Sequence, residues 1–398
     1  MSDPREPAPP SELLAALEVE GPSASGEVPI GSRRIVAGIA AMLIVAATVV
    51  MSIGVLVGFR RLADAIRGAD LRWLGICAIA QLIVLAGYTG AFRSAVSADD
   101  GPRVPVSVAV RVVLATFALT QIVAAGGAAG LAAMYWALRR LGMHRRDAAV
   151  RLIGLNTAVF AVFGLLGTAA AIVGVAQHSM PLGMAVPWLV AVPLAVLAAR
   201  WFTDRQRVQR WTRPDGRLLR RALRISVSAA AWVRRQLTEA TGRRLFWWAA
   251  CYWAGDVISL WAALHAFDAR PALAALVLAY TTGYVAHIAP IPFIATGGMD
   301  AATTFALHAT GVPLELALAG VVAHRVFAFW LPLGPAVASA ATLSSVGRSL
   351  ESLGHPGPSS QTTPSSEAQP TPRFGEAVQN DRAQLPPRRP SRRRNERQ

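Results

Sequence analysis

The chain has 398 residues, of which 54% are hydrophobic and only 16% charged, and its formal net charge is +16. Apolar runs of about 18 residues or more recur along it, enough to cross roughly 30 Å of hydrocarbon, which marks a polytopic helical membrane protein. The runs are continuous and do not alternate, which excludes a transmembrane β-barrel.

All 39 basic residues are arginine. GC-rich coding accounts for that by itself; the guanidinium fork also suits bidentate phosphate recognition, and the two causes are compatible. The basic clusters flank apolar runs, so they read as topology signals and anionic-lipid contacts, not as a nucleic-acid footprint. Cys77 and Cys251 sit inside apolar runs and read as small hydrophobes, neither a disulfide framework nor a metal site. A cleavable signal pattern is absent: the first apolar run follows about 34 polar or mixed residues and is too long for a signal core, so it is expected to remain as a span.

Residues 1–32 are rich in Pro, Ser and Glu and are expected to be disordered. Full spans are then expected at Ile35–Phe59, Leu71–Phe92, Pro105–Gln121, Val150–Ala176, Met184–Phe202, Leu245–Phe267, Pro271–Ala289 and Pro313–Leu343. Between them lie two shorter Gly-rich segments, Ile122–Leu138 and Phe293–Thr310, read as interrupted or re-entrant pieces. The fold class is all-α: about eight full spans plus these two segments, in a membrane domain over 33–347. Residues 348–398 form an Arg/Pro/Ser-rich tail expected to be disordered and to touch anionic lipid.

Loop charge sets the expected orientation. The 201–244 loop carries twelve arginines against Asp204, Asp215 and Glu239, and should be cytoplasmic. Arg139, Arg140, Arg145 and Arg146 mark a second cytoplasmic loop, and Arg33–Arg34 and the basic tail place both termini inside. Gln177–Gly183 and Gly311–Leu316 lack basic residues and should face out. Ten crossings satisfy these assignments, with the Arg60–Arg72 loop, four arginines and two aspartates, as the misfit. Within the basic loop, Arg217–Leu237 mixes apolar and basic residues as an amphipathic interfacial helix would; a solvated connector is the alternative.

Ile122–Gly142 followed by Val159–Phe163, and Phe293–Gly311 followed by Val326–Trp330, share one plan. Each has a Gly pair, a short helix, a closing Gly and then a span with an aromatic cluster. The loop after the first is basic and the loop after the second is neutral, so the copies would run in opposite senses. That is the arrangement of inverted-repeat transporters, whose interrupted helices meet near the midplane around the substrate. Ala/Gly/Val-rich composition alone would give a similar self-alignment.

The stretch Ala289–Pro335 combines membrane-grade apolarity with Pro290, Pro292, Gly297–Gly298, Pro313, Pro332, Asp300, His308, His324 and Arg325. Irregular backbone and bare charge at that depth must be buried in protein or line a wet cavity. Asp256 lies well inside another span. Arg325 is expected to pair with Asp300 or Asp256 at rest and to engage a lipid phosphate during transport; a permanent helix-to-helix ion pair is the alternative. Gly126–Gly127 and Gly297–Gly298 could let backbone N–H groups at a helix start receive phosphate, or serve as tight helix packing. His287, His308 and His324 have no metal-ligand spacing and are expected to be satisfied within the bundle. Trp247, Trp248 and Trp253 look like an interfacial belt. No phosphate loop, nucleophile elbow or zinc motif is present, so neither catalysis nor a cofactor nor a metal is expected.

At Pro290–Val337 the chain resembles the flippase-like transmembrane domain of lysylphosphatidylglycerol synthases, a family that includes stand-alone membrane proteins of the YbhN or AglD type. The residues that carry the likeness are Pro290, Pro292, Gly297–Gly298, Gly311–Val312–Pro313, Arg325, Phe327, Phe329, Trp330 and Pro332. Where many members have a Gly two residues after the Gly pair and then a Glu, this chain has Asp300 and Thr303. The synthase domain is absent from this sequence. The resemblance implies translocation of an anionic phospholipid or lipid-linked glycan between leaflets of a bacterial cytoplasmic membrane, with membrane lipids as partners. Together with the intramembrane charge, this gives the expected headgroup site: Arg325 holding phosphate, Asp300 or Asp256 resetting it, and His324, Gly126–Gly127, Gly297–Gly298, Pro290 and Pro292 around them. The other reading is a non-transporting scaffold for a cell-envelope synthesis complex.

Overall fold

A computed structural model describes residues 68–99, 101–122, 128–178, 180–202, 218–288 and 294–354. The expected N-terminal segment 1–32, the span Ile35–Phe59, Gly126–Gly127, Pro290, Pro292 and the tail from 355 onward lie outside the described residues. Every regular element among the described residues is helical.

Helix α1 spans Leu71–Ser97, starting where the Asp70 carboxylate accepts the Arg72 backbone N–H at 2.9 Å. After it come α2 (Val106–Ile122) and the short α3 (Ala128–Arg140), whose last turn carries Arg139 and Arg140 against the helix C-terminal dipole. Gly142, at φ 78°, closes that turn. Helix α4 is Arg145–Ala176 and α5 is Leu182–Phe202, which holds Pro187 and Pro193. Then follow α6 (Leu218–Thr238), α7 (Ala240–His265), α8 (Leu273–Ile288) and α9 (Ile294–Ala309). Helix α10 (Leu314–Arg325) passes through a π turn at Val326–Trp330 into α11 (Leu331–Ala341), and α12 is Leu343–Gly354.

Among the described residues, four helical stretches are long and apolar enough to cross a membrane: Leu71–Ser97, Arg145–Ala176, Leu182–Trp201 and Leu314–Ala340. The two Gly-rich segments form helices of 13 and 16 residues, α3 and α9. At 1.5 Å per residue these reach about 20 and 24 Å, short of the roughly 30 Å hydrocarbon layer.

Small residues let the helices approach. A Cβ on Gly87 of α1 would lie 2.5 Å from the Tyr252 backbone N, and one on Gly255 of α7 would lie 2.9 Å from the Ala80 carbonyl. The α1–α7 pair is thus backbone against backbone, the small-residue mode that dispersion favours in lipid. Helix α2 packs on α3 and α8 on α9, and in addition α8 packs on α4 and α2 on α11.

One end of the bundle gathers the basic loops. Asp99, held at φ 49°, accepts from the Trp232 indole N–H and from Arg235, both at 2.9 Å, tying α6 to the α1–α2 loop. Arg151 donates to the Ala95 and Val96 carbonyls, and Arg140 pairs with Glu351 of α12. The expected amphipathic segment is the helix α6; it buries Val227, Trp232 and Val233 and exposes Arg234 and Arg235. At the opposite end the Asp70 N–H donates to the Ala266 carbonyl, beside a small cluster of Phe267 and Leu318.

Composition places the end of the membrane domain at 347, yet α12 continues to Gly354. Val346 and Leu350, one turn apart, are both buried, and α12 packs on α2 and α3. Burial of that stripe extends the helix into a sequence otherwise rich in Ser and Gly.

Candidate functional site

Helices α1, α7, α8, α9 and α10 bring the intramembrane polar residues together around the end of α10. His324 and Arg325 are consecutive there, so about 100° of helix rotation separates their side chains. They serve two different acids.

His324 turns inward and is buried. Its Nε2 lies 3.6 Å from Asp256 Oδ1 and its Nδ1 lies 3.2 Å from Ser259 Oγ. Asp256 accepts a hydrogen bond from Gln81 Nε2 at 3.0 Å and a short one from the Tyr280 hydroxyl. Ser259 in turn meets Cys77 Sγ at 3.0 Å and can donate to the Cys77 carbonyl at 3.3 Å. The carboxylate is therefore surrounded by donors, which is what makes a buried charge tolerable.

Arg325 turns the other way. Its Nε lies 3.4 Å from Asp300 Oδ2, and its guanidinium sits 5.5 Å above the Phe329 ring. Both members of this pair are about a fifth exposed, 22% and 21%, against 8% and 12% for the His324 and Asp256 side chains. Arg325 thus pairs with Asp300, and His324 lies against Asp256. The π turn begins at the next residue, and π insertions in helices recur at functional sites.

Gly297 and Gly298 lie about one turn inside α9, so the N–H groups left over at the helix start belong to the residues just before them. Thr303, on the same helix, packs against Gly283, whose Cβ would come 2.7 Å from the Thr303 backbone N. His308 is satisfied by the Val312 carbonyl at 3.0 Å. Among the described residues, no three His, Cys, Asp or Glu side chains group as a metal site would require.

Beside the polar cluster stands an aromatic one. Phe163 and Trp253 have ring centroids 4.5 Å apart, and Tyr284 lies 5.1 Å from both. The Trp253 indole donates to the Val159 carbonyl at 2.8 Å. Trp253 is therefore a core residue, not part of an interfacial belt, whereas Trp247 is 67% exposed. Six residues of helix turn the two by about 240°, onto different faces.

Sequence reasoning missed Gln81, Ser259 and Tyr280. The available signal was a lone polar side chain inside an apolar run, as in Ala80–Gln81–Leu82.

Among curated proteins, none matches the chain. Residues 36–336 match the family described as the lysylphosphatidylglycerol synthase TM region, and that span takes in the whole of the polar cluster and the π turn. The chain is a membrane protein that belongs to the lysylphosphatidylglycerol synthase transmembrane-region family.

Proposed function

We propose that the protein is a lipid translocase that moves an anionic phospholipid or a lipid-linked glycan between the leaflets of a bacterial cytoplasmic membrane. The observation that carries this reading is the Arg325–Asp300 pair. It is a charge pair at the head of a π turn, in a stretch apolar enough to span the membrane, and it is partly open where the neighbouring His324–Asp256 pair is closed. A guanidinium that meets a carboxylate and a ring face can exchange the carboxylate for a phosphate, an anion of matching geometry. Asp300 then takes the arginine back once the headgroup has left. No catalytic step is assigned.

The proposed topology has about eight full spans and the two short helices, with both termini cytoplasmic. The gathering of Arg140, Arg146, Arg151 and Arg235 at one end of the bundle supports it. The reciprocal packing of α8 on α4 and α2 on α11 supports an inverted repeat, with the headgroup passing between its halves.

The test is leaflet redistribution of fluorescent phospholipids and prenyl-linked sugars in liposomes holding the purified protein. Arg325→Ala is expected to slow redistribution at least about tenfold, the loss of one charge-assisted contact, with folding unchanged. A normal rate in that variant would sink the role given to Arg325. A charge exchange between Arg325 and Asp300 that fully restores transport would make the pair structural. If well-folded wild-type protein moves no lipid, the scaffold reading replaces this one, with the Arg-rich loop and tail as docking surfaces.

A further inference from the structure

We propose that Asp256 and His324 form a proton-binding site whose occupancy governs the adjoining Arg325–Asp300 pair, coupling lipid movement to protons; the coupling rests on the translocase reading above.

The first argument is the donor set. Asp256 meets Gln81 Nε2, the Tyr280 hydroxyl and His324 Nε2. A metal cation needs convergent oxygen or thiolate ligands, and here the groups around the carboxylate bring hydrogens. The exchangeable ligand that fits is a proton.

The second argument is that both protonation states are provided for. With His324 neutral, Nε2–H faces Asp256 and Nδ1 accepts the Ser259 hydroxyl proton. When a proton binds at Nδ1, that N–H donates to Ser259 Oγ, and the hydroxyl rotates to donate to the Cys77 carbonyl. One proton is taken from water, no other bond changes, and neither state leaves a buried polar atom orphaned.

The third argument is adjacency. Protonated His324 neutralises Asp256 and leaves Arg325 with Asp300. Deprotonation leaves Asp256 as an anion held only by the neutral donors of Gln81, Tyr280 and His324, beside the helix end that carries Arg325, and the uncompensated charge then draws on that guanidinium. The π turn begins directly after Arg325, at Val326.

The titratable groups facing the pair are Cys77 from α1, Tyr252 from α7, Tyr280 and Tyr284 from α8, and Arg325 from α10; α9 adds Asp300 through Arg325. Helix α4 brings the ring of Phe163 to this region. Of these residue types, histidine is the one whose ordinary charge change falls between about pH 5 and 8.

Two measurements test the inference. In detergent, proton uptake by the full-length protein is titrated from pH 8 to pH 5; His324→Gln is expected to take up about one proton fewer than wild type. An equal count overturns the site. Should His324→Gln fail to fold, Ser259→Ala keeps both titratable groups and must move the pH of uptake; an unmoved midpoint overturns the site equally. In liposomes with a fluorescent phosphatidylglycerol, imposing a gradient of one pH unit is expected to shift the steady leaflet ratio by about tenfold for one proton per lipid. The shift should vanish in His324→Gln at whatever rate remains. Wild-type transport that ignores the gradient overturns the coupling and leaves the translocase standing. Wild type that moves no lipid overturns the translocase and the coupling together, and the proton count still decides the site.

Discussion

Asp256 and Asp300 occupy the same small region and meet consecutive residues of α10, yet their surroundings differ in kind. Asp256 is closed in, with donors from α1, α8 and α10 converging on it. Asp300 has its main charge partner on the same helix end but keeps about a fifth of its surface open. A buried acid with several fixed donors costs much to disturb, because every donor is orphaned with it. The contrast teaches that intramembrane charge is not one category: donors from three helices enclose Asp256, whereas the Arg325–Asp300 pair keeps about a fifth of its surface open.

The sharpest way to break that contrast is to remove each acid in turn. Asp256→Ala is expected to cost about 3–5 kcal/mol, because His324, Gln81 and Tyr280 lose their common acceptor. It should appear as a large fall in melting temperature in detergent. A smaller loss, about 1–3 kcal/mol, is expected for Gly87→Ala, whose Cβ meets the Tyr252 backbone and cannot be relieved by a side-chain rotation. Gly75→Ala on the same helix is the control, since a Cβ there meets nothing within 4 Å. Asp300→Ala should cost less than Asp256→Ala, about 1–3 kcal/mol, because Arg325 loses one charge-assisted contact and keeps its place over the Phe329 ring; a loss as large as that of Asp256→Ala would erase the distinction between the two acids. The least effect, about 0.2–1 kcal/mol, is expected for Asp99→Asn, which weakens a partly exposed ion pair. Its readout is local: faster tryptic cleavage at Arg234 and Arg235 of α6.

Much of the fold was legible because lipid writes simple rules into a sequence. Long apolar runs gave α1, α4, α5 and the α10–α11 span, and the mixed apolar and basic pattern of Arg217–Leu237 gave α6. Asp256, Asp300 and Arg325 stood out because charge is rare at membrane depth. Their partners did not. Gln81 lies 175 residues from Asp256 in the chain and carries no periodicity that points to it. The choice of Asp300 over Asp256 for Arg325 depends on which way α10 faces, and helix rotation is set by packing that a single sequence does not print. Glycines misled in the other direction. The conspicuous Gly pairs drew the eye, while the scattered Gly87 and Gly255, spaced like any others, set the closest helix approach. In α12 the buried Val346 and Leu350 were hidden by a Ser-rich setting.

The π turn also has a consequence for tolerance to insertion and deletion. Five residues with the wider ladder amount to one extra residue threaded into a helix that would otherwise run straight from Leu314 to Ala341. Losing a single residue between Val326 and Trp330 would let the backbone anneal into an unbroken α-helix, at no cost in hydrogen bonds. Everything downstream would keep its facing, because the wider turn already absorbs the extra residue, and α11 would stay on α2. The same loss one turn away, within Leu314–Arg325, would instead rotate the flanking parts of the helix by about 100° relative to each other. A gap of one residue at the π turn in a related chain would therefore be a neutral trim, and a gap beside it a rewired bundle.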